Sequence, residues 1–482
     1  MSEIIEQIKI GIVYVKNKDY LNAEKFFLNL VRKYPTNIQL YSYLIPVMIE
    51  QKNFKNALKF AEKLYSLNKN YELGLIYMGI INYSLKNYEN AIILFKKALL
   101  INPKSFDALL NIGVTFRKLG ENEKAIDCFN KCANVNSNKS IIFYNLGSIY
   151  EEECDLNKAI TFYKKAISIN NQDYDSIHAM SLCQLSIQHF EDGFKNYELR
   201  WFKNNFEKYR YQHIPKLQMI NLIHGKKILV WYEQGFGDTI QFSRYVNLLI
   251  NMGAQVTFEV QKPLLNFLKR QFNCEVTENA SLNNFDFQCP LMSLPILFKM
   301  SLKNIPKMDQ HFRCDDEKIN LWKDILNLSK NKKNIGIAIS GNPNQILDYR
   351  RKINLEYFLS LDEHFRIYII QKSLRQNDEI SLKKANDIIY LGKNPQWTNF
   401  DDTSAIVQNM DYIISIDTSL IHLAGALNKR AFLLLSKPAD WRWSHEKLNS
   451  PKWYENITII RQKKKNDWEE PMEEIKKTLI FL

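Results

Sequence analysis

A fixed spacing of 34 residues governs the first 200 positions of the chain. Ala23, Ala57, Ala91, Ala125, Ala159 and Gly193 stand 34 apart at every step. Three residues before them, Tyr20, Phe54, Tyr88 and Phe190 are aromatic, with Asn122 and Leu156 breaking that column. A second column runs Gly11, Gly79, Gly113 and Gly147, with Ile45 and Ser181 in the same phase. A third, of turn formers, runs Pro35, Lys69, Pro103, Ser137 and Asn171. Small residues recur where two helices must cross closely, and prolines and asparagines recur where the chain must break.

A 34-residue unit with this pattern is the tetratricopeptide repeat, a helical hairpin that stacks on its neighbours into a superhelix with a concave groove. About six units are expected over residues 1–201. The groove is expected to take a protein or peptide; packing against the C-terminal part is the bland alternative. The last unit, His189–Trp201, carries Gly193 at the alanine position and ends in Glu198-Leu199-Arg200-Trp201. Residues 202–225, polar and aromatic without a clean period, read as a connector.

From residue 226 strands alternate with helices. The apolar run Ile228–Trp231 reads as a buried strand, followed by Glu233-Gln234-Gly235-Phe236-Gly237-Asp238 and an amphipathic helix from Asp238 through roughly Asn251. Two glycines bare the backbone and a helix start offers unpaired N–H groups, the place where α/β proteins hold an anionic ligand. The spacing is neither the dinucleotide fingerprint nor a P-loop. A break at Ser329–Asn334 separates two α/β series. The expected architecture is therefore two Rossmann-like lobes, 226–330 and 331–482, facing across a cleft, with ligands at the carboxyl ends of the strands.

The second lobe has its own strand-end motifs. Ser340-Gly341-Asn342-Pro343 is followed by Arg350-Arg351-Lys352, whose cations suit a pyrophosphate or else a solvated loop. Gln371 ends the next strand, and Asp402 or Thr403 is a plausible N-cap. Asp417-Thr418-Ser419 then brings three oxygen-bearing side chains to a helix start, with His422 one turn on. Capping explains one of these but not the run, so a ligand-facing role is favoured. Trp441-Arg442-Trp443 reads as a wall for a base or sugar, or as a wedge between lobes.

Composition adds exclusions. The net charge of +13 is spread along the chain, which argues against nucleic acid as the partner, and no aromatic-basic module supports RNA. An anionic membrane surface would use part of the excess. No apolar run is long enough to span a bilayer and the N-terminus does not read as a signal peptide, so a cytoplasmic protein is expected, with peripheral attachment to the inner membrane as a variant. Seven cysteines without pairing logic imply neither disulfides nor zinc.

Taken together, WYEQGFGDTIQFSRY, CPLMSLP, ISGNPN with DYRR, DDTSA, IDTSLIHLAGAL and PADWRW with SPKWY resemble the bacterial tetratricopeptide-repeat proteins whose C-terminal glycosyltransferase domain is related to the ADP-heptose heptosyltransferases. The resemblance covers essentially the whole chain. It implies a two-lobed B-type glycosyltransferase, inverting and metal-independent, with acceptor on the first lobe and nucleotide-sugar donor on the second. It makes Asp238 the candidate general base, with Glu233, Gln234, Gly235, Gly237 and Gln241 around the acceptor. Its donor motif matches Asp417, Thr418 and His422, and the strand-end residues Ser340, Asn342, Arg350, Arg351, Gln371 and Ser419 are expected on the same donor side. Ser419, where heptosyltransferases often have glycine, and the WRW segment are departures that put a heptose donor in doubt. No resident cofactor or metal is implied, although Asp401-Asp402 adjoin a strand end. Asp238 also stands three before Gln241, a capping-box spacing, so a purely structural role is its alternative. For the whole chain the alternative is a scaffold whose transferase domain has lost turnover.

Overall fold

The computed structural model describes residues 2–203, 206–280, 284–307, 312–341, 348–361, 363–445 and 453–481. It divides into two compact units, 1–150 with 161–173, and 151–160 with 174–482.

The first unit is built from α1 (Ser2–Lys16), α2 (Tyr20–Lys33), α3 (Ile38–Glu50), α4 (Phe54–Leu67), α5 (Leu73–Ser84), α6 (Tyr88–Ile101), α7 (Phe106–Leu119), α8 (Asn122–Val135) and parts of α9 (Ser140–Glu152) and α10 (Leu156–Ile169). The glycine column has a specific partner. A Cβ on Gly79 would strike the ring of Phe95, one on Gly113 would lie 2.7 Å from Phe129, and one on Gly147 2.6 Å from Tyr163. Where the column holds Ile45 instead, the ring position holds Ala61, and both are fully buried in one core. The volume is conserved while its source changes helix, as close packing requires. The turn inside each hairpin is equally periodic: Lys18, Lys52, Lys86, Gly120, Cys154 and Gln188, again 34 apart, all have positive φ between 58° and 80°.

The second unit begins with α11 (Tyr174–Ser186) and α12 (Phe190–Tyr197). Residues expected as the last repeat thus share the core of the α/β region: Leu185, Phe190, Phe194 and Tyr197 pack in one cluster with Ile228, Val230 and Trp441. The first sheet has β1 (Lys227–Trp231), β2 (Gln255–Glu259), β3 (Glu275–Thr277) and β4 (Phe287–Pro290), all parallel, in the order β3-β2-β1-β4. The second has β5 (Lys333–Ala338), β6 (Phe365–Ile369), β7 (Ile388–Tyr390), β8 (Tyr412–Ile416), β9 (Ala431–Leu435) and β10 (Ile457–Arg461), also parallel, ordered β10-β9-β8-β5-β6-β7. Chain order reverses at β5, which pairs with β6 on one side and β8 on the other. Such switch points open a crevice beyond the carboxyl ends of the strands.

The helices that matter for function follow strands: α13 (Phe236–Phe242) and α14 (Arg244–Asn251) after β1, α15 (Leu265–Lys269) after β2, α16 (Leu294–Leu297) after β4, then α17 (Asp316–Leu326). In the second sheet α18 (Asp348–Arg351) follows β5, α19 (Gln376–Leu382) β6, α20 (Phe400–Asn409) β7, α21 (Ser419–Ala426) β8 and α22 (Glu469–Ile480) β10. The single helix expected over 238–251 is two. Ser243 turns its hydroxyl back onto the Ile240 carbonyl at 2.9 Å, and the chain re-forms a helix from Arg244. Leu355–Leu361, between α18 and β6, is a 3-10 helix. Strand β10 and helix α22 were not anticipated.

Candidate functional site

The loops after β1 and β8, one from each sheet, meet through α13 and α21. Gly237 makes this approach possible: a Cβ there would lie 2.9 Å from His422 Cδ2 and 3.5 Å from Ser419 Cα. The expected role of this glycine was to bare the backbone for a ligand; in the structure the histidine ring takes that space. At this point one apolar core runs from Val230, Ile240 and Phe242 of the first sheet's side to Leu420, Trp441 and Trp443 of the second's.

Asp238 sits at the third position of α13, whose N-cap is Gly235. Its Oδ2 accepts the Gly235 N–H at 2.9 Å, so it does serve as a cap, from the opposite end to the spacing with Gln241. Its Oδ1 is ion-paired with Arg442 Nη2. Arg442 also donates Nη1 to Asp440 Oδ1 at 2.8 Å, and its backbone N–H to the same oxygen at 3.0 Å. Burial opposes its charge, but Asp238 and Asp440 more than offset that and hold the guanidinium further into its charged form. Trp441 meets Phe194 and Phe242 edge-on or tilted, so of the expected base-and-sugar wall this residue is a core wedge.

Thr418 is the N-cap residue of α21, and its hydroxyl lies 3.0 Å from Ser415 Oγ. Behind it, His422 Nε2 is 3.7 Å from Asp417 Oδ1, and Nδ1 is 3.2 Å from the Tyr454 hydroxyl. The imidazole stacks on Trp443 at 5.6 Å between centroids, 19° from parallel. Burial pushes the Asp417 carboxyl up, but His422, Trp443 and Arg442 outweigh it and hold the acid below its usual range. Tyr454 was missed in the sequence, although SPKWY contains it. Burial raises its phenol to about 12 against the pull of Arg244. Arg244, also missed, is buried and anchors this corner through the Trp453 and Pro306 carbonyls at 2.9 and 3.1 Å.

The remaining donor-side residues divide. Arg351 donates Nη1 to the Asp417 carbonyl at 2.6 Å and Nε to Asp348 at 3.1 Å, so it does stand at the α21 start. Arg350 instead pairs with Glu152 at 3.0 Å. Gln371 accepts the backbone N–H groups of Ile339 and Ser340 at 2.9 and 3.2 Å, and donates to Ser340 Oγ at 3.0 Å. It ties β5 to β6, and both it and Ser340 are engaged with each other rather than presented to a ligand. Asn342 lies outside the described residues. The N-cap expected at Asp402 or Thr403 is Asn399, and Asp402 closes the capping box from within α20 while accepting from Lys318 and Trp322.

On the first-sheet side Glu233 differs most from expectation. It is fully buried and gripped by Arg200, with Nε to Oε2 at 2.8 Å and Nη2 to Oε1 at 2.7 Å, and it also accepts the Met292 N–H. Arg200 donates further to the Tyr197 carbonyl, Glu198 and Ser293. The Glu-Leu-Arg-Trp end of the last helical hairpin therefore locks the turn after β1. Gln234, at φ 61°, adds a bond from Nε2 to the Tyr197 hydroxyl. Gln241 is fully buried, and neither its amide oxygen nor its nitrogen has a protein partner. Among the described residues no group of three or more His, Cys, Asp or Glu is placed to hold a metal.

Family models described as Tetratricopeptide repeat match residues 70–105, 94–127 and 141–173. Solved structures similar to part of the chain include TTC0263, a thermophilic TPR protein of Thermus thermophilus (19% identity, TM-score 0.35, 37% of this chain and 98% of that one). Others are PilF of Pseudomonas aeruginosa (18%, 0.34, 41% and 89%) and MamA of Desulfovibrio magneticus (20%, 0.28, 34% and 90%). No curated protein matches the chain. The N-terminal region is an array of tetratricopeptide repeats.

Proposed function

We propose that the α/β region is a glycosyltransferase that moves a sugar from a nucleotide-sugar donor to a protein or glycan acceptor, with inversion and without a metal, and that the repeats bind a protein partner. The observation that carries this reading is the meeting of Gly237 and Asp238 from the first sheet with Asp417, His422 and Arg442 from the second, all at carboxyl ends of parallel strands. Support comes also from the second sheet, which counted from its own first strand has the order 3-2-1-4-5-6 of dinucleotide-binding Rossmann sheets. Two Rossmann-like lobes are the B-type arrangement that the motifs suggest.

In this reading the α21 start and Arg351 face the donor diphosphate, where backbone N–H groups and a cation offset leaving-group charge. Asp238 removes the acceptor proton as its hydroxyl attacks the anomeric carbon. To do so its carboxylate must leave Arg442. The test is nucleoside diphosphate release by the full chain from a panel of nucleotide sugars, with lysate proteins as acceptors and Asp238→Asn as control. Release that depends on acceptor and on Asp238 supports the reading; release unchanged in Asp238→Asn contradicts it.

A non-catalytic scaffold is favoured by a separate observation: Asp238, Glu233 and Arg350, all expected to face ligands, are each satisfied by a protein partner. That reading predicts binding of protein by the repeats and no nucleotide-sugar consumption.

A further inference from the structure

The described residues contain a cavity of about 730 Å³ that none of the motifs accounts for. It lies in the first α/β layer, between residues 216–221 and the helix α16 with the turn that follows it. The 216–217 segment runs along the edge of β4, where Leu217 donates to the Gln288 carbonyl at 2.8 Å. The size is within the ~300–1,000 Å³ of small-molecule sites. Its walls are chiefly apolar, from Leu217, Met219, Ile220, Ile296, Leu297 and Phe298. In the lining Met219 is 61% exposed, and Leu222, one residue beyond the lining residue Asn221, is 71% exposed. Single exposed apolar residues need no explanation, but two on the segment that walls a largely apolar cavity extend its apolar surface outward.

The polar part of the lining carries one cation beyond the Lys216–Glu198 pair, Lys299. Among the described lining residues Glu198 is the one acid; it is ion-paired with Lys216 at 2.6 Å and Arg200 at 2.9 Å and accepts a hydrogen bond from the Ser293 hydroxyl at 2.7 Å. Lys299, also in the lining, and Lys303 are exposed at the turn after α16. An apolar chain would fill the walls, and an anionic head would meet Lys299, Lys216 being paired with Glu198.

We propose that this cavity binds an anionic amphiphile, an apolar chain carrying a phosphate or carboxylate head, at Met219, Leu297, Phe298 and Lys299. The site is separate from the Asp238–His422 constellation, and its test measures binding alone, so it stands or falls apart from the transferase reading.

Monomeric dodecyl phosphate is titrated against the full chain by calorimetry, with dodecyl maltoside as the neutral amphiphile of equal chain length. Vesicles of equal parts phosphatidylcholine and phosphatidylglycerol are tested by flotation at high salt, where exposed charge alone is screened. The phosphate is expected to bind and the maltoside to bind about tenfold more weakly. Met219→Ser with Leu222→Ser, which changes no charge on exposed residues, is expected to weaken phosphate binding about tenfold. Lys299→Gln is expected to remove the preference for the phosphate. Flotation together with binding identifies a bilayer lipid as the source; binding of the monomer without flotation identifies a free amphiphile. Equal binding of the two amphiphiles, or a serine pair that binds as the unaltered chain does, overturns the proposal.

Discussion

Arg442 is ion-paired with Asp238 across 204 residues of sequence, joining the loop after β9 to the helix after β1. The pair is partly buried, with 10% and 16% of the side chains exposed. Its coupling is therefore expected to exceed that of a surface pair. A double-mutant cycle with Asp238→Asn and Arg442→Met, followed by urea unfolding, should give a coupling of ~1–3 kcal/mol. A coupling near zero would mean that the pair is not formed in solution.

The exchange of volume in the repeats yields a second prediction. Gly79→Ile alone drives a side chain into the Phe95 ring, and overpacking costs ~1–3 kcal/mol. Phe95→Ala alone leaves a cavity and costs ~3–5 kcal/mol. Together they recreate the Ile45 and Ala61 arrangement of the second repeat. The double variant should recover more than half of the summed loss in thermal melting; additive losses would refute the pairing.

The periodic left-handed turn gives a third. Lys52 and Lys86 adopt φ 59° and 65°, where Gly120 alone carries no Cβ penalty. Lys86→Gly should stabilise the repeats by ~1 kcal/mol, read as a higher urea midpoint.

Asp402 makes the stability depend on acid. It is fully buried, and although burial raises its pKa, Lys318, Thr398 and Trp322 lower it below 3.8. A carboxyl depressed in the folded state contributes stability that is complete above its unfolded value and is lost as pH falls through the folded value. Asp402→Asn should therefore lower the urea midpoint markedly at about pH 7 and much less at about pH 3. An equal loss at both would remove the carboxylate from the account.

Local constraint decided what could be read in the sequence. A helical hairpin closes within one 34-residue unit, so the glycine column and the turns announced themselves by spacing alone. Strand, turn and helix-start order likewise placed Asp238, Asp417 and His422 at strand ends, because each motif is contiguous. Pairings between distant segments carry no such signal. Nothing in the spacing couples Arg200 to Glu233, Arg350 to Glu152 or Tyr454 to His422. Those partners decide whether a charge near the site faces a ligand or the protein. Arg350 and Glu233 were expected to do the first and do the second.

In the proposed function the constellation around Asp238 and His422 receives a nucleotide sugar. Thermal melting of the full chain, alone and with a panel of nucleotide sugars and nucleoside diphosphates, tests it most directly. A ligand of the native state at 100 times its Kd adds about 2.7 kcal/mol and raises the midpoint. A selective rise with one nucleotide sugar is expected, unaffected by a chelator and retained in Asp238→Asn. No rise with any of them, while a peptide pool does stabilise the chain, would contradict it and leave the scaffold.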